Sequence, residues 1–225
     1  MRIGGLQKFS LVDYPGKLSC VIFTQGCNFR CPYCFNPQLV IPEMYESPIA
    51  EDKVLSFLER RRGQLDGVVI TGGEPTVHED LPDFLKKIHS MKYLIKLDTN
   101  GSHLFMLQEI IRANLVDYIA MDIKALFLKY NLLCGIKVNS DLIKESISLI
   151  IRSGVDHEFR TTAVKPLLSF EDLEAIARLV RDGRRYFVQA FIPHRNILDR
   201  NLLQGDYYME KEILDLQRRL SRSGL

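Results

Sequence analysis

The sequence predicts an α/β fold, a partial (β/α)6 TIM-like barrel that stays open at about three quarters of a circle, with parallel strands. Strand-like runs alternate with helix-like segments six times along the chain, which is the pattern of a parallel βα sheet. Most of these runs are continuously apolar or β-branched, as expected for strands covered on both faces. An eight-unit barrel takes about 250 residues, so a chain of 225 residues suits six units.

The predicted strands end in polar residues and are separated by helix-length segments. They cover residues 18–24, 67–71, 94–98, 118–123, 157–163 and 186–191. Neither a sequence repeat nor a linker nor a low-complexity segment interrupts the series. We therefore expect one domain over residues 1–225, with a core from about 18 to 194 and a C-terminal helix over about 207–222.

Capping residues and apolar stripes predict the helices between the strands. Ser47-Pro48 predicts a helix start with proline at the first helical position, and Gly63 predicts its end. Ser169 and Asp172 form the pattern of a capping box. Further signals are a cap at Ser140, a stop at Gly154 and the stripes Phe84/Ile88/Met91, Leu104/Leu107/Ile111, Leu173/Ile176/Val180 and Met209/Ile213/Leu216/Leu220.

Charge and hydropathy exclude some partners. Lys and Arg total 30 and Asp and Glu total 28, a net charge of +2. This balance gives no electrostatic reason to expect nucleic-acid or membrane partners. No stretch approaches the roughly 18 apolar residues that a membrane span needs. We expect a cytoplasmic protein with reduced thiols.

Three of the five cysteines are clustered, in the pattern C-x3-C-x2-C formed by Cys27, Cys31 and Cys34. Three thiolates can hold three corners of a [4Fe–4S] cluster and leave one iron open for another ligand. Structural zinc is the alternative, although zinc sites usually pair two short knuckles and the second is missing here. We expect Cys20 and Cys134 to be ordinary thiols that pack as small apolar side chains.

Polar residues gather where the predicted strands end. In parallel α/β folds, functional sites collect at the carboxyl ends of the strands. The residues in such positions are the three cysteines, Gly72, Gly73, Glu74, Asp98, Thr99, Asp122, Lys124 and His194. Five strand ends that bring polar residues to one rim predict a single active site there.

Four motifs together resemble those of the radical S-adenosylmethionine enzymes. They are the cysteine triplet with Tyr33 before its last cysteine, Thr71-Gly72-Gly73-Glu74-Pro75, Asp98-Thr99-Asn100-Gly101 and Met121-Asp122-Ile123-Lys124. The opening, from Gly4 to Ser10 and from Asp13 to Gly16, is similar to the activating proteins of anaerobic ribonucleoside-triphosphate reductases, with pyruvate formate-lyase activating enzymes as a sister match. One departure is Phe35-Asn36-Pro37, where relatives have His-Asn-Pro.

The resemblance implies roles for individual residues. Cys27, Cys31 and Cys34 would hold a [4Fe–4S] cluster and act in catalysis through it. S-adenosyl-L-methionine would contact Tyr33, Gly72, Gly73, Glu74, Asp98, Thr99, Asp122, Lys124 and His194. A monovalent cation would lie beside Asp98, Thr99 and Asp122, and Asp13 would hold the substrate loop.

The resemblance also implies a reaction. The enzyme would cleave S-adenosylmethionine reductively to a deoxyadenosyl radical and generate a glycyl radical on a partner, anaerobic ribonucleotide reductase. A flavodoxin or ferredoxin would supply the electron. The alternatives are a radical enzyme acting on a small molecule or on another glycyl-radical enzyme, and a non-catalytic metal-binding module.

Overall fold

The sheet is an open barrel wall. The computed structural model describes residues 1–222, and within them seven strands form one sheet in chain order. They are β1 (Ile3–Ser10), β2 (Ser19–Thr24), β3 (Gly67–Gly72), β4 (Leu94–Thr99), β5 (Tyr118–Asp122), β6 (Asp156–Ala163) and β7 (Tyr186–Ala190). Strands β2 to β7 run parallel, β1 runs antiparallel to β2, and β1 and β7 are the two edges of the sheet. The predicted open α/β barrel is confirmed.

Helices follow the parallel strands. The α-helices are α1 (Pro37–Val40), α2 (Glu51–Arg60), α3 (Leu81–Ser90), α4 (Leu104–Arg112), α5 (Tyr130–Cys134), α6 (Ser140–Arg152), α7 (Phe170–Leu179) and α8 (Glu210–Arg222). Among the residues that the structure describes, no helix is long and apolar enough to cross a membrane.

The N-terminal strand β1 was not predicted from the sequence. Its stretch contains Gly4 and Gly5 and polar residues, without the continuous apolar run of the other strands. Irregular register between Gln7 and Ser10 interrupts its pairing with β2. A bulged and partly exposed strand is typical of a sheet edge, and it carries little sequence signal.

The predicted start of the first long helix was wrong. Helix α2 begins at Glu51, because Ile49 is extended and its backbone N–H donates to the Ile3 carbonyl at 2.8 Å. The cap of α6 is also displaced by one residue, from Ser140 to Asn139. The capping box of Ser169 and Asp172 at α7 is confirmed.

Most of the predicted helix stripes are core. In α8, Ile213, Leu216 and Leu220 are buried, whereas Met209 precedes the helix and is 69% exposed. In α4, Ile110 is fully buried and Ile111 only partly. The helices thus cover the outer face of the sheet with apolar side chains.

The inner face of the barrel carries a second, smaller apolar cluster. Val21, Val69, Tyr118 and Ala120 pack there with Tyr14. Tyr14 comes from the β1–β2 connection, and its ring centroid lies 5.8 Å from that of Tyr118. Since Tyr14 also contacts Gly67 at the start of β3, it closes the amino end of the barrel.

Candidate active site

A cavity of about 220 Å³ lies at the carboxyl ends of the strands. Eleven of the predicted site residues line this cavity: Cys27, Cys31, Tyr33, Cys34, Gly72, Gly73, Glu74, Asp98, Thr99, Asp122 and Lys124. A larger surface groove of about 770 Å³ between β7, α7 and α8 contains none of them. The smaller cavity therefore collects the residues that the sequence motifs single out.

Each cysteine sulfur of the triplet accepts a hydrogen bond. The Phe29 N–H donates to Cys27 Sγ at 3.3 Å, and the backbone N–H of Asn36 donates to Cys34. Burial raises the pKa of Cys27 to about 12 and also raises the pKa of Cys34. The Cys134 thiol donates to Cys31 and lowers its pKa to about 7. Hydrogen bonds to sulfur stabilise the negative charge of a metal-bound thiolate.

The arrangement of donors fits a multi-iron cluster. Within residues 1–222, no group of three or more His, Cys, Asp or Glu side chains is arranged around one point that a single metal ion could occupy. A structural zinc site takes four protein donors around one point, whereas three thiolates are enough to hold a [4Fe–4S] cluster with one iron open. The three cysteines line one cavity together with Gly72 and Gly73, so a cluster held by Cys27, Cys31 and Cys34 would lie beside the glycine pair.

The glycine pair after β3 is required by close packing of the chain on itself. Gly72 has φ of +117°, and a Cβ there would lie 2.3 Å from the Thr24 nitrogen. A Cβ on Gly73 would lie 2.0 Å from the Gly26 carbonyl oxygen. Glycine alone tolerates both the positive φ and the contact. The pair thus fixes the end of β3 against the start of the cysteine loop while its backbone lines the cavity.

Glu74 joins two segments of the site, the ends of β3 and β4. Its carboxylate accepts from the Thr76 N–H at 3.1 Å, the Thr99 hydroxyl at 2.7 Å and the Asn100 N–H at 2.6 Å. Burial raises its pKa, and the hydrogen bonds from Thr76, Asn100 and Thr99 oppose that shift. A contact from Glu74 to the ammonium of S-adenosylmethionine stays a prediction. In this structure its carboxylate already holds the ends of β3 and β4 together.

A charged network occupies the inner face beside the cavity. Arg160 donates to Asp122 at 2.9 Å and pairs with Asp98 at 3.3 Å. Lys124 pairs with Asp122 at 2.9 Å, and Lys96 pairs with Asp98. Burial opposes ionisation of Asp122, but Arg160 and Lys124 outweigh it and hold its pKa below the usual range. Because three cations already serve these two carboxylates, the monovalent cation beside Asp98, Thr99 and Asp122 stays a prediction.

Tyr33 provides an unused polar group beside the cavity. The residue is 4% exposed, and its hydroxyl has no hydrogen-bond partner within the described part of the chain. Burial raises its pKa, so it is a neutral donor. An unpaired buried hydroxyl costs free energy, and a bound group with an acceptor would recover it.

Two predicted residues lie away from the cavity. Asp13 is in the β1–β2 connection at the amino end of the sheet, where the Ser10 hydroxyl donates to its carboxylate. His194 is exposed after β7, and its Nδ1 accepts from the Asn196 N–H. Their proposed contacts with substrate loop and cofactor stay predictions.

Sequence reasoning missed Arg160, Lys96 and the placement of Cys134. A signal existed for Lys96, because a cation inside the mostly apolar strand β4 must face something polar. Arg160 stands in a strand with several polar residues, where it gives no such signal. Cys134 was expected to be an ordinary thiol in a loop-like stretch. It instead ends helix α5 and contacts Cys31, a long-range contact that no local pattern announces.

The pattern of the Radical SAM superfamily matches residues 21–181. The chain belongs to the radical SAM superfamily. Members of this superfamily use a [4Fe–4S] cluster and S-adenosylmethionine, and the three cysteines that would hold the cluster line the cavity. The matched residues include the cysteine triplet, the glycine pair and the charged network.

The radical SAM chain is also similar to individual proteins. A candidate glycyl-radical enzyme activating enzyme of Methanocaldococcus jannaschii is 36% identical over 85% of this chain and 80% of its own length. The pyruvate formate-lyase-activating enzyme of Clostridium pasteurianum is 33% identical over 55% of this chain and 52% of its own length. The chain is thus an enzyme of the radical SAM type, related over most of its length to glycyl-radical enzyme activating enzymes.

Solved structures share the fold. Streptococcus suis SuiB, in its form bound to S-adenosylmethionine, matches with a TM-score of 0.71 and 18% identity over 89% of this chain. The match covers 46% of SuiB, so this chain spans less than half of that protein. At this identity the similarity establishes the partial-barrel architecture alone.

Proposed function

We propose that this radical SAM enzyme activates anaerobic ribonucleoside-triphosphate reductase by generating a glycyl radical on it. The observation that carries the proposal is the joint lining of one cavity by Cys27, Cys31 and Cys34 with Gly72 and Gly73. The general class is supported by relatives that are glycyl-radical enzyme activating enzymes. The choice of reductase is supported by the opening segment from Gly4 to Gly16.

The chain's own residues would bind and orient the cofactors. Cys27, Cys31 and Cys34 would hold the cluster, which when bound supplies the electron that cleaves S-adenosylmethionine to a deoxyadenosyl radical. The backbone of Gly72 and Gly73 approaches the cavity without side-chain obstruction. Lys124 and Arg160, which line the same cavity, would attract the carboxylate of the methionine part. A cytoplasmic flavodoxin or ferredoxin would deliver the electron.

The open edge of the barrel favours a protein substrate. Strand β7 is an edge, and apolar side chains stand exposed near the cavity mouth, with Phe35 40% and Ile192 71% exposed. Phe35 lines the cavity and stacks on Phe191 at 5.5 Å between ring centroids. Exposed apolar side chains at a site mouth are typical of protein–protein contact. A closed pocket with further polar groups would have favoured a small molecule.

The test is an anaerobic activation assay. Reconstituted protein, S-adenosylmethionine and a reductant are mixed with anaerobic ribonucleotide reductase, and the glycyl radical is measured by electron paramagnetic resonance. We expect a glycyl signal that is lost with Cys31→Ala and kept with Cys20→Ala, since Cys20 lies on the helix-covered face. Cleavage of S-adenosylmethionine without any glycyl signal would contradict this substrate, and the same assay with pyruvate formate-lyase would test the sister class.

A further inference from the structure

We propose that Cys134 is a positioning residue of the cluster, whose S–H donates a hydrogen bond to the Cys31 sulfur and raises the reduction potential of the cluster. The inference rests on the proposed ligand role of Cys31. It assigns a function to a cysteine that lies outside the triplet motif. If Cys134 has this role, the reduction potential of the cluster depends on the position of helix α5.

The backbone holds Cys134 against the triplet loop at two points. The Arg30 N–H donates to the Cys134 carbonyl at 2.7 Å. The next residue, Gly135, has φ of +65°, and a Cβ there would lie 2.2 Å from the Arg30 carbonyl oxygen. A residue with a side chain would fit neither the positive φ nor this close contact with the Arg30 peptide, so position 135 requires glycine. The end of α5 is therefore packed onto the peptide that immediately precedes Cys31.

The side chain of Cys134 lies next to that of Cys31. The residue is fully buried, and its thiol is within hydrogen-bonding reach of the Cys31 sulfur. Cys134 is absent from the cavity lining in the described residues, whereas Cys31 is part of it. Cys134 is thus placed to donate to a ligand of the cluster and is not placed to become a fourth ligand on the open side.

The three sulfurs of the triplet differ in the kind of hydrogen-bond donor that they face. Cys27 and Cys34 accept from backbone N–H groups of their own loop, at Phe29 and Asn36. Those donors come with the loop whatever the neighbouring side chains are. The donor to Cys31 is a side chain from a distant segment, so a single substitution can remove it without rebuilding the loop.

A hydrogen bond to a ligand sulfur has a defined electrostatic effect. One-electron reduction adds negative charge to the cluster, and a donor stabilises the more negative state. Removal of the donor therefore lowers the midpoint potential. A tenfold change in the reduced-to-oxidised ratio at fixed solution potential corresponds to about 59 mV for one electron.

The first test is a potential measurement on the cluster-loaded protein. With Cys134→Val we expect the reduced-to-oxidised ratio at fixed potential to fall about threefold or more. Cys134→Ser keeps a donor and should stay close to the parent protein. The matched control is Cys20→Val, since Cys20 is also a fully buried free thiol but lies on β2 away from the cavity. Equal potentials for Cys134→Val and the parent, or equal shifts for Val and Ser, would overturn the proposal.

The second test needs no substitution at Cys134. With three cysteines on the cluster, the loaded protein keeps S–H groups at Cys20 and Cys134, whose infrared S–H bands are assigned by Cys20→Val. Reduction of the cluster should move the Cys134 band to lower frequency and leave the Cys20 band in place. A Cys134 band that does not respond would overturn the proposal. Failure to load iron would instead count against the ligand assignment, which separates the two ideas.

Discussion

The two ends of the barrel interior are built from opposite kinds of side chain. At the amino end, Tyr14 packs on Val21, Val69 and Tyr118. At the carboxyl end, the inner face carries the network around Arg160 beside an open cavity. Buried apolar contact stabilises a fold directly, whereas a buried ion pair roughly balances its own desolvation. The apolar amino end thus stabilises the fold, whereas the carboxyl end presents charged side chains that can bind a polar ligand.

The sharpest test of this difference removes the central cation of the open end. Arg160→Met should lower the free energy of unfolding by about 3–5 kcal/mol, because Asp98 and Asp122 lose a buried partner. Arg160 has a side-chain exposure of only 16%. Urea unfolding of the cluster-free protein measures the loss.

Arg184→Met is the matched control for that experiment. Arg184 pairs with Asp156 at the surface and its side chain is 54% exposed, so its loss should cost at most about 1 kcal/mol. If Arg160→Met and Arg184→Met lower the free energy of unfolding equally, then the buried network contributes no more than a surface ion pair. That result would contradict the proposed difference between the two ends of the barrel.

The next largest effect is expected at the closed end. Tyr14→Ala should cost about 3 kcal/mol, since it removes a ring that is 4% exposed and leaves a cavity. This loss should be similar at pH 7 and pH 4, because the residues that pack on the Tyr14 ring are uncharged. The charged side chains nearest to them, Glu158 and Arg185, bond the Tyr118 hydroxyl and not Tyr14. Denaturant unfolding at the two pH values measures it.

A substitution in the same connection serves as the reference for Tyr14. Val12 is 85% exposed, so Val12→Ala should change the free energy of unfolding by less than about 0.5 kcal/mol. A loss of stability with Tyr14→Ala that grows or shrinks strongly with pH would show that the apolar cluster around Tyr14 is coupled to the charged network.

The smallest expected effect is a pH dependence of the stability that Asp122 contributes at the carboxyl end of the barrel. The pKa of Asp122 is held below its ordinary value of 3.8, so its ion pairs stabilise the fold above that value and are lost progressively as the pH falls below it. The stability gap between the parent and Asp122→Asn should be about 2 kcal/mol at pH 7. It should narrow below about pH 4.

Unfolding curves from pH 7 to pH 3 follow this gap. Asp13→Asn is the comparison, because Asp13 lies outside the network in the β1–β2 connection. A gap for Asp122→Asn that is constant down to pH 3 would mean that the carboxylate does not depend on Arg160 and Lys124.

Sequence reasoning found the parallel strands because their signal is local. Each of the six predicted runs overlaps an observed strand, with ends that differ by one residue at most. Continuous apolar runs mark strands that are covered on both faces. Strand β1 escaped because its residues are mixed and its partner is on one side only. Helix α2 starts later than expected because Ile49 pairs with Ile3, a contact between distant residues.

The site was predicted as a set of residues and completed by the fold. Eleven of the thirteen predicted site residues line the cavity, because motifs at strand ends converge in a parallel sheet. Asp13 and His194 lie elsewhere, and their motifs stand in connections whose direction the local sequence does not fix. Arg160 was overlooked although it lies at the centre of the charge network.

The order of residues by itself determined the parallel strands, the rim on which polar groups meet and the spacing of three thiols. Periodicity and spacing suffice for these because neighbours along the chain create them. Only the tertiary structure decided that Tyr14 closes one end, that Glu74 ties β3 to β4 and that Cys134 stands behind Cys31. Such contacts join distant segments, and their geometry exists only once the barrel has brought those segments together.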